Sequence, residues 1–119
     1  MDFRIIREGI DAREKGCTFC EIPEHRVVSS NALAFAIHDK YPVTKLHALL
    51  IPKRHAANFF DLFEPERRAI DRLLIELQAE IRKKDTSVSG FNIGVNNGDA
   101  ARQTIAHAHV HLFKTRLAG

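Results

Sequence analysis

Long apolar runs are missing from this chain of 119 residues, and runs such as residues 48–51 are far too short to span a bilayer. The first four residues also lack the hydrophobic stretch of a secretory signal. We therefore expect a cytoplasmic protein without a membrane partner. The sequence contains no internal repeat and no low-complexity segment, and 45% hydrophobic content over this length suits one domain with a single core.

Concentrated charge of one sign is also missing. The formal net charge is only +3, and basic residues such as Arg4, Arg13, Arg67 and Lys83 are spread along the chain instead of forming a stripe. This distribution suits a small phosphorylated ligand better than a nucleic-acid duplex. We therefore expect a small-molecule partner, with weak nucleic-acid binding as the alternative.

Cysteine is scarce, and the two that are present, Cys17 and Cys20, form a C-x-x-C pair. In the reducing compartment that we expect, this spacing favours metal binding or redox chemistry over a structural disulfide. A thioredoxin-like redox centre is the weaker alternative, because the pair does not follow a strand within a strand–helix–strand unit.

Histidine is the residue type with the most informative pattern. Three of the seven histidines alternate with small or apolar residues between Ile105 and Phe113. Because side chains in a strand point alternately to opposite faces, the alternation predicts a strand over 105–113. Its core face would carry Ala106, Ala108, Val110 and Leu112, and its other face His107, His109 and His111. Such an array can bind a metal, act as a nucleophile or carry a proton, and a solvated polar face is the alternative.

Apolar periodicity predicts the remaining elements. Phe3, Ile6 and Ile10 have helical spacing, which indicates a helix over 2–14. Strands are predicted at 26–30 and 33–38, paired as a hairpin, at 46–51 in a central position, and at 91–96 before a loop at 97–102. A long helix begins near Pro65 with an apolar stripe from Ile70 to Ile81. Strands with segregated helices predict an α+β fold.

Several ordered motifs resemble those of the histidine triad (HIT) family of nucleotide hydrolases and transferases. The likeness runs from Cys17 to Leu112 and is strongest for the small bacterial members, described as diadenosine polyphosphate hydrolases or as relatives of nucleoside phosphoramidate hydrolases. It rests on the C-x-x-C pair, the segments 36–39, 50–55 and 92–96, and the alternating histidines preceded by Gln103-Thr104. The resemblance implies an antiparallel sheet of about five strands with one long helix, in a single domain over 1–119. The core would span 17–113, after an N-terminal helical extension at 1–16, and two chains would form a homodimer.

The resemblance also implies catalytic roles for two histidines. The middle one, His109, would attack the α-phosphorus of a nucleotide and form a covalent nucleotidyl-histidine that water then hydrolyses. A neutral imidazole is a competent nucleophile near pH 7. His111 would bind the phosphate and assist departure of the leaving group. Neutral hydrogen-bond donors for the phosphate oxygens would come from Asn96, Gln103 and Thr104.

Substrate-binding residues are implied further upstream. Asp39 lies where the family has an acidic or amide residue that contacts the ribose hydroxyls, and Ile37 and His38 would line the nucleoside pocket. A turn-forming role is the alternative for Asp39. Arg102 stands where the family usually has glycine, and this arginine could narrow the phosphate loop or add a cation for a polyphosphate.

A Zn²⁺ site is implied by four residues, Cys17, Cys20, His55 and His107. Two thiolates and two imidazoles are a standard tetrahedral set, and four protein ligands make the ion structural. A reduced, metal-free cysteine pair is the alternative. His47 and His25 lack a comparable set of partners and are interpreted as ordinary packed or surface histidines.

The predicted activity is hydrolysis of a nucleotide phosphoanhydride or phosphoramidate bond, as in a dinucleoside polyphosphate or a nucleoside phosphoramidate. Nucleotidyl transfer to an acceptor other than water uses the same intermediate and is one alternative. A nucleotide-binding or scaffold protein with incidental hydrolysis is the other.

Overall fold

A five-stranded antiparallel sheet forms the centre of the molecule in a computed structural model that describes residues 13–117. The strands are β1 (Val27–Ser30), β2 (Ala34–His38), β3 (Ala48–Pro52), β4 (Gly90–Gly94) and β5 (Val110–Thr115). They follow the order β1-β2-β3-β5-β4, so β3 is central as predicted. β1 and β2 form the predicted hairpin, with a register shift between Val27 and Ser29.

One face of the sheet is covered by the long helix α1 (Glu64–Lys84). Its apolar stripe packs on small and branched residues of the strands, and the buried helix residues are Ala69, Ile70, Leu73, Leu77 and Ile81. Pro65 lies in the first turn, where a missing N–H leaves no helical bond unmade. The five-stranded sheet and the long helix confirm the predicted fold class.

The first turn of α1 is tied to the loop after β3 by a buried ion pair. Glu66 is 1% exposed, and its carboxylate accepts hydrogen bonds from Arg54 Nε at 3.0 Å and Nη2 at 2.8 Å. The same carboxylate accepts the N–H of Phe63 at 2.8 Å. A buried carboxylate with these partners holds the loop, which carries His55, in one position.

The opposite face of the sheet carries a smaller apolar cluster. Phe19, from the segment that precedes β1, packs on Ile37, Leu49 and Ile51. Odd-numbered residues of β3 and β5 point to this face, whereas their even-numbered neighbours pack under α1. The C-x-x-C turn and the histidines therefore meet on the face that the helix leaves free.

The predicted strand over 105–113 is wrong in its first half, because β5 begins only at Val110. β3 pairs with β5 from Ala48 to Leu50, and Pro52 at its end has no N–H to continue the ladder. The chain turns there: His107 N–H donates to the Ile105 carbonyl at 2.8 Å. Ala106 is therefore exposed instead of packed in the core.

The predicted N-terminal helix over 2–14 falls almost wholly outside the described residues. Arg13 and Glu14, the part that is described, are not helical. Within residues 13–117, none of the helices is both long and apolar enough to cross a membrane.

Candidate active site

His109 lies just before β5, and its two ring nitrogens have different surroundings. Nδ1 lies 2.8 Å from the carbonyl oxygen of His107, which can only accept a hydrogen bond. Nδ1 therefore carries the proton, and Nε2 keeps its lone pair. The ring is 6% exposed, and Phe19 packs edge-on against it at 5.0 Å between ring centroids. The fold thus presents one oriented nucleophilic nitrogen.

His111, the second residue of β5, forms a hydrogen-bonded pair with His47. Nε2 of His47 lies 3.0 Å from Nδ1 of His111, and Nδ1 of His47 lies 3.1 Å from the main-chain N of Val43. Because the Val43 amide can only donate, the proton of His47 is on Nε2 and is donated to His111. The proton of His111 is then on its own Nε2. We call this series of hydrogen bonds, from the Val43 amide through His47 to His111, the relay. It places a hydrogen-bond donor beside His109, whose ring centroid is 5.1 Å from that of His111.

The structure brings His47 into this cluster, although the sequence suggested an ordinary packed histidine. His47 is 3% exposed and immediately precedes β3, which pairs with the strand that carries His111. The sequence signal that could have identified this role was a polar residue, His47, directly before the otherwise apolar strand β3. The residue before it, Leu46, has φ of 71°, in the left-handed region that disfavours a branched side chain.

Asp39 also reaches the relay, with its two carboxylate oxygens in different roles. Oδ1 accepts the N–H of Tyr41 at 3.0 Å, which closes the turn after β2. Oδ2 lies 3.7 Å from Nε2 of His47. Both interpretations of Asp39 therefore have a structural basis, because one oxygen closes the turn and the other faces the histidines.

The four predicted zinc ligands lie together beside the nucleophile. Sγ of Cys17 is 3.4 Å from Nδ1 of His107, and Sγ of Cys20 is 3.3 Å from Nδ1 of His55. All four ligand atoms lie within 4.8 Å of one another. Two sulfurs and two imidazole nitrogens at these separations fit a tetrahedral Zn²⁺ ion.

Each histidine of this Cys/His cluster has its second nitrogen occupied by an acceptor. Nε2 of His107 donates to the Pro52 carbonyl at 2.8 Å, and Nε2 of His55 faces the Glu14 carboxylate at 2.7 Å. Both rings therefore turn an unprotonated Nδ1 toward the sulfurs. Acceptors of this kind orient metal-binding imidazoles and raise their basicity.

The predicted phosphate-binding side chains are largely occupied in shaping their own loop. Gln103 accepts the N–H of Gly98 at 2.8 Å and donates to the Ala57 carbonyl at 2.6 Å. Asn96 donates to the Ala101 carbonyl at 2.8 Å. Thr104 is exposed and lines a cavity of about 340 Å³ that Cys17 and His55 also line.

Arg102 is exposed and has φ of 65°, a left-handed conformation. Glycine adopts this conformation without a steric penalty, which gives a physical reason for the glycine expected at this position. Ile37 and His38, by contrast, point to opposite faces of the sheet. Ile37 is buried beside Phe19, whereas His38 lines a cavity under α1 with Leu77 and Ile81. The structure therefore does not bring the His38 side chain to the histidine cluster.

A cavity of about 510 Å³ with a mixed apolar and charged lining lies on the same face as the histidines. Phe19, Ile22 and Phe35 form part of its lining, with Lys53 and Arg13 as basic neighbours. Phe19 connects the cavity to His109, since the same ring packs against that imidazole. Sequence reasoning did not single out these apolar residues, because an aromatic residue that lines a cavity has the same periodicity as one in a core.

Burial controls the protonation of these histidines. It lowers the pKa of His109 and of His111 below the ordinary value, and it lowers the pKa of His47 in the same way. Burial also lowers the pKa of His107 to about 4, although the bond to the Pro52 carbonyl opposes the change. The rings are therefore neutral at pH 7, as a nucleophile, a relay and a metal ligand require.

Comparison with known proteins identifies the family to which this geometry belongs. A sequence profile of the HIT domain matches residues 20–117. The chain belongs to the HIT domain family. This HIT domain is 33% identical over 109 residues to the adenosine 5'-monophosphoramidase HNT1 of Saccharomyces cerevisiae, an alignment that covers 87% of this chain and 65% of the yeast protein.

Solved structures support the same assignment. This HIT domain superposes on a HIT family protein from Bacillus anthracis with a TM-score of 0.79 at 31% identity, over 87% of this chain and 75% of that one. A Zn-bound histidine triad family protein from Mycobacterium smegmatis gives a TM-score of 0.75 at 28% identity, over 87% and 77% of the two chains.

Proposed function

We propose that this HIT domain hydrolyses a nucleoside phosphoramidate or a nucleotide phosphoanhydride through a covalent nucleotidyl-His109 intermediate. The observation that carries the proposal is the pair of oriented nitrogens: a free lone pair on His109 Nε2 beside a donor on His111 Nε2. The yeast relative named as an adenosine 5'-monophosphoramidase supports the substrate class.

The first step forms a bond between His109 Nε2 and the α-phosphorus and breaks the bond from phosphorus to the leaving group. A nucleotide leaves as a phosphate oxyanion, whereas an amine leaves as the neutral molecule from the N-protonated phosphoramidate. The proton that stays on Nδ1 makes the substituted ring cationic, and the His107 carbonyl stabilises that charge. His111 Nε2–H donates to the phosphoryl or leaving atom, which assists departure.

The second step restores the enzyme. Water attacks the phosphorus, the bond to Nε2 breaks with its electron pair returning to His109, and the proton of the water passes to solvent. The product is a nucleoside monophosphate. Splitting the displacement in two replaces one difficult step with two easier ones.

Substrate recognition is proposed for the surfaces that border these histidines. The aromatic rings of Phe19 and Phe35 in the cavity suit a flat nucleobase. Ile37 belongs to the same apolar cluster as Phe19. The carboxylate of Asp39 can accept hydrogen bonds from ribose hydroxyls. The amides of Arg102 and Gln103 already donate to the Asp99 and Gly98 carbonyls at 2.9 and 3.1 Å, so the amide and hydroxyl of Thr104 remain the proposed contacts for the phosphate.

A structural Zn²⁺ ion is proposed for the Cys/His cluster. It would bind Cys17, Cys20, His55 and His107 and would leave no position for water or substrate. Its contribution would be stability: it ties the segment before β1 to the turn that carries the nucleophile. The Zn-bound relative from Mycobacterium smegmatis supports this assignment.

A homodimer is proposed as the working assembly. Among the described residues, β4 pairs only with β5, and its Ile93 side chain is 61% exposed. A sheet edge with an exposed apolar residue is suited to a second copy. Sedimentation equilibrium should give the mass of two chains, and a monomer at micromolar concentration would contradict the proposal.

Trapping the intermediate tests the activity. The protein is mixed with adenosine 5'-phosphoramidate or diadenosine tetraphosphate, quenched within milliseconds in alkaline denaturant and weighed intact. One nucleotidyl group per chain is expected, with a burst of the first product. His109→Ala should show neither, and an added sugar phosphate that captures most of the nucleotide would favour the transferase. Tight nucleotide binding without an adduct or turnover would favour the binding protein.

A further inference from the structure

A second set of metal-type ligands lies within the relay itself. The carboxylate of Asp39 and one nitrogen each of His47 and His111 lie within 4.8 Å of one another. Two imidazoles and a carboxylate are a recurring ligand set for divalent transition metals. We propose that these three residues form a second, weaker metal site, in which the ion replaces the proton shared by His47 and His111.

The observed distances are close to those that such a site needs. In a tetrahedral site with metal–nitrogen bonds of about 2.0–2.1 Å, neighbouring ligand atoms are roughly 3.4 Å apart. His47 Nε2 is 3.0 Å from His111 Nδ1 and 3.7 Å from Asp39 Oδ2, one distance on each side of that value. Small side-chain movements are therefore sufficient. Three protein ligands leave a position open for water, whereas the Cys/His cluster supplies four.

The main-chain amide of Val43 makes the second site weak. This amide donates a hydrogen bond to Nδ1 of His47 and so keeps the ring proton on Nε2. A metal ion would have to bind at that same Nε2 atom. Metal binding requires this proton to move to Nδ1 and the Val43 amide to turn to water. Val43 is 65% exposed, so water can replace the lost bond. No proton is released, because His111 keeps its proton on Nε2 and offers Nδ1.

The Cys/His cluster has the opposite arrangement and should therefore fill first. The Pro52 carbonyl keeps the proton of His107 on Nε2, and the Glu14 carboxylate does the same for His55. Both rings thus offer an unprotonated Nδ1 without any rearrangement. Two thiolates add further affinity for zinc and cobalt.

Occupancy of the second site should stop the nucleotide reaction. The ion removes the His47–His111 hydrogen bond and engages the Asp39 carboxylate that is proposed to contact the ribose. This consequence rests on the proposed function, but metal binding itself does not. Binding is therefore measured without substrate, so that the two proposals can fail separately.

The experiment uses full-length protein loaded with one equivalent of Zn²⁺ and then titrated with Co²⁺. A second equivalent should bind in the micromolar to millimolar range, with cobalt absorption bands but without the thiolate-to-cobalt charge transfer that marks a cysteine site. Hydrolysis should fall in proportion to that occupancy and recover on chelation. Failure to bind a second equivalent at millimolar Co²⁺ overturns the proposal, as does a second equivalent with thiolate bands.

Three variants and one control variant locate the site. His47→Gln and Asp39→Asn each remove a ligand and should weaken the second binding step by roughly a hundredfold, whereas the exposed His25→Gln is the matched control and should leave it unchanged. Val43→Pro lacks the amide N–H and should strengthen binding by roughly three- to tenfold. Unchanged binding in His47→Gln overturns the site. Nitrogen NMR of the wild-type protein without metal tests the part played by Val43. It should show the proton of His47 on Nε2, and a proton on Nδ1 would contradict this part.

Discussion

The Cys/His cluster and the relay are neighbours on one face of the sheet, yet they use the same imidazole ring in opposite ways. In the Cys/His cluster, a carbonyl and a carboxylate oxygen accept hydrogen bonds from Nε2–H of His107 and His55, which leaves Nδ1 of each ring unprotonated. In the relay, a main-chain amide occupies Nδ1 of His47 and keeps the proton on Nε2. Each ring has one nitrogen that points away from its cluster. An acceptor at that nitrogen leaves the other nitrogen free to bind a metal, whereas a donor there makes the other nitrogen a proton donor.

His107 connects the Cys/His cluster to His109, which lies beside the relay. Its side chain completes the Cys/His cluster, and its carbonyl orients the nucleophile His109. The two clusters are therefore separate in chemistry but connected through one residue. Changes confined to one cluster show how far that connection extends.

The largest effect is expected from removing the nucleophile. His109→Ala should lower turnover by about 10⁴-fold or more, on the order of 5 kcal/mol of lost transition-state stabilisation. Nucleotide binding and zinc content should be retained, because the side chain is outside the Cys/His cluster. Single-turnover kinetics measure the loss of turnover, and metal analysis measures the zinc content. A purified variant that keeps more than a tenth of the wild-type rate would remove His109 from this role.

Loss of the Cys/His cluster should lower stability most. Structural zinc supplies about 10 kcal/mol or more of apparent binding free energy, so Cys17→Ser combined with Cys20→Ser should lower Tm by 10 °C or more. Metal analysis of the wild type should give one zinc per chain, and chelation should reproduce the loss. A metal-free wild-type preparation with unchanged Tm would contradict the zinc assignment.

Two substitutions of His47 separate the hydrogen bonds of the relay from its ring. His47→Ala removes both bonds and should lower kcat by about a hundredfold. His47→Gln can accept from Val43 and donate to His111, so it should recover most of that loss, with KM little changed in both. Equal activity of the two variants would show that the relay does not orient His111.

Arg102 tests whether the loop that precedes the alternating histidines selects the substrate. A charge-assisted contact of about 1.5–3 kcal/mol predicts that Arg102→Gly lowers kcat/KM for a dinucleoside tetraphosphate by roughly tenfold or more. A phosphoramidate with one phosphate should be nearly unaffected. Because Arg102 has a positive φ, glycine should also stabilise the chain by about 1 kcal/mol. If both substrates react faster to the same extent, the arginine only crowds the loop.

The smallest effect is expected on the pH profile. Three histidines at the ordinary pKa of about 6.5 would leave only about one eighth of the molecules fully neutral at pH 6.5. Because burial lowers the pKa of His47, His109 and His111, the fully neutral fraction at pH 6.5, and with it kcat/KM, should stay above that level. Activity should decline at lower pH as the rings take up protons. Rings at the ordinary pKa would already halve kcat/KM at about pH 7, so a profile halved there would contradict neutral, buried rings.

The sequence predicted the Cys/His cluster more completely than the relay. Its four ligand types stand in recognisable motifs, and the structure brings all four together. His47 has no such motif, since its partners are a main-chain amide and a histidine 64 residues away. The face reached by His38 was readable, by contrast, because adjacent residues of one strand point to opposite faces, so the Ile37 and His38 side chains do not line the same pocket. Periodicity predicts strands, but the hydrogen bonds of single ring nitrogens appear only once the strands are paired.

The early end of the histidine strand has the same origin. Alternation continues through 105–109, but the ladder stops where Pro52 offers no N–H. A pattern of side chains does not reveal where the backbone loses its partner.

The turn that replaces the missing strand also determines how the molecule opens. Ala108 lies between the proposed zinc ligand His107 and the proposed nucleophile His109, and its amide donates to the Ala56 carbonyl at 2.7 Å. The loop that carries this carbonyl is tied to α1 by Arg54 and Glu66. Exposing the Ala108 amide should therefore require this loop to move away from both α1 and the Cys/His cluster. Its hydrogen exchange should be as slow as that of a core strand, although it belongs to neither a helix nor a strand.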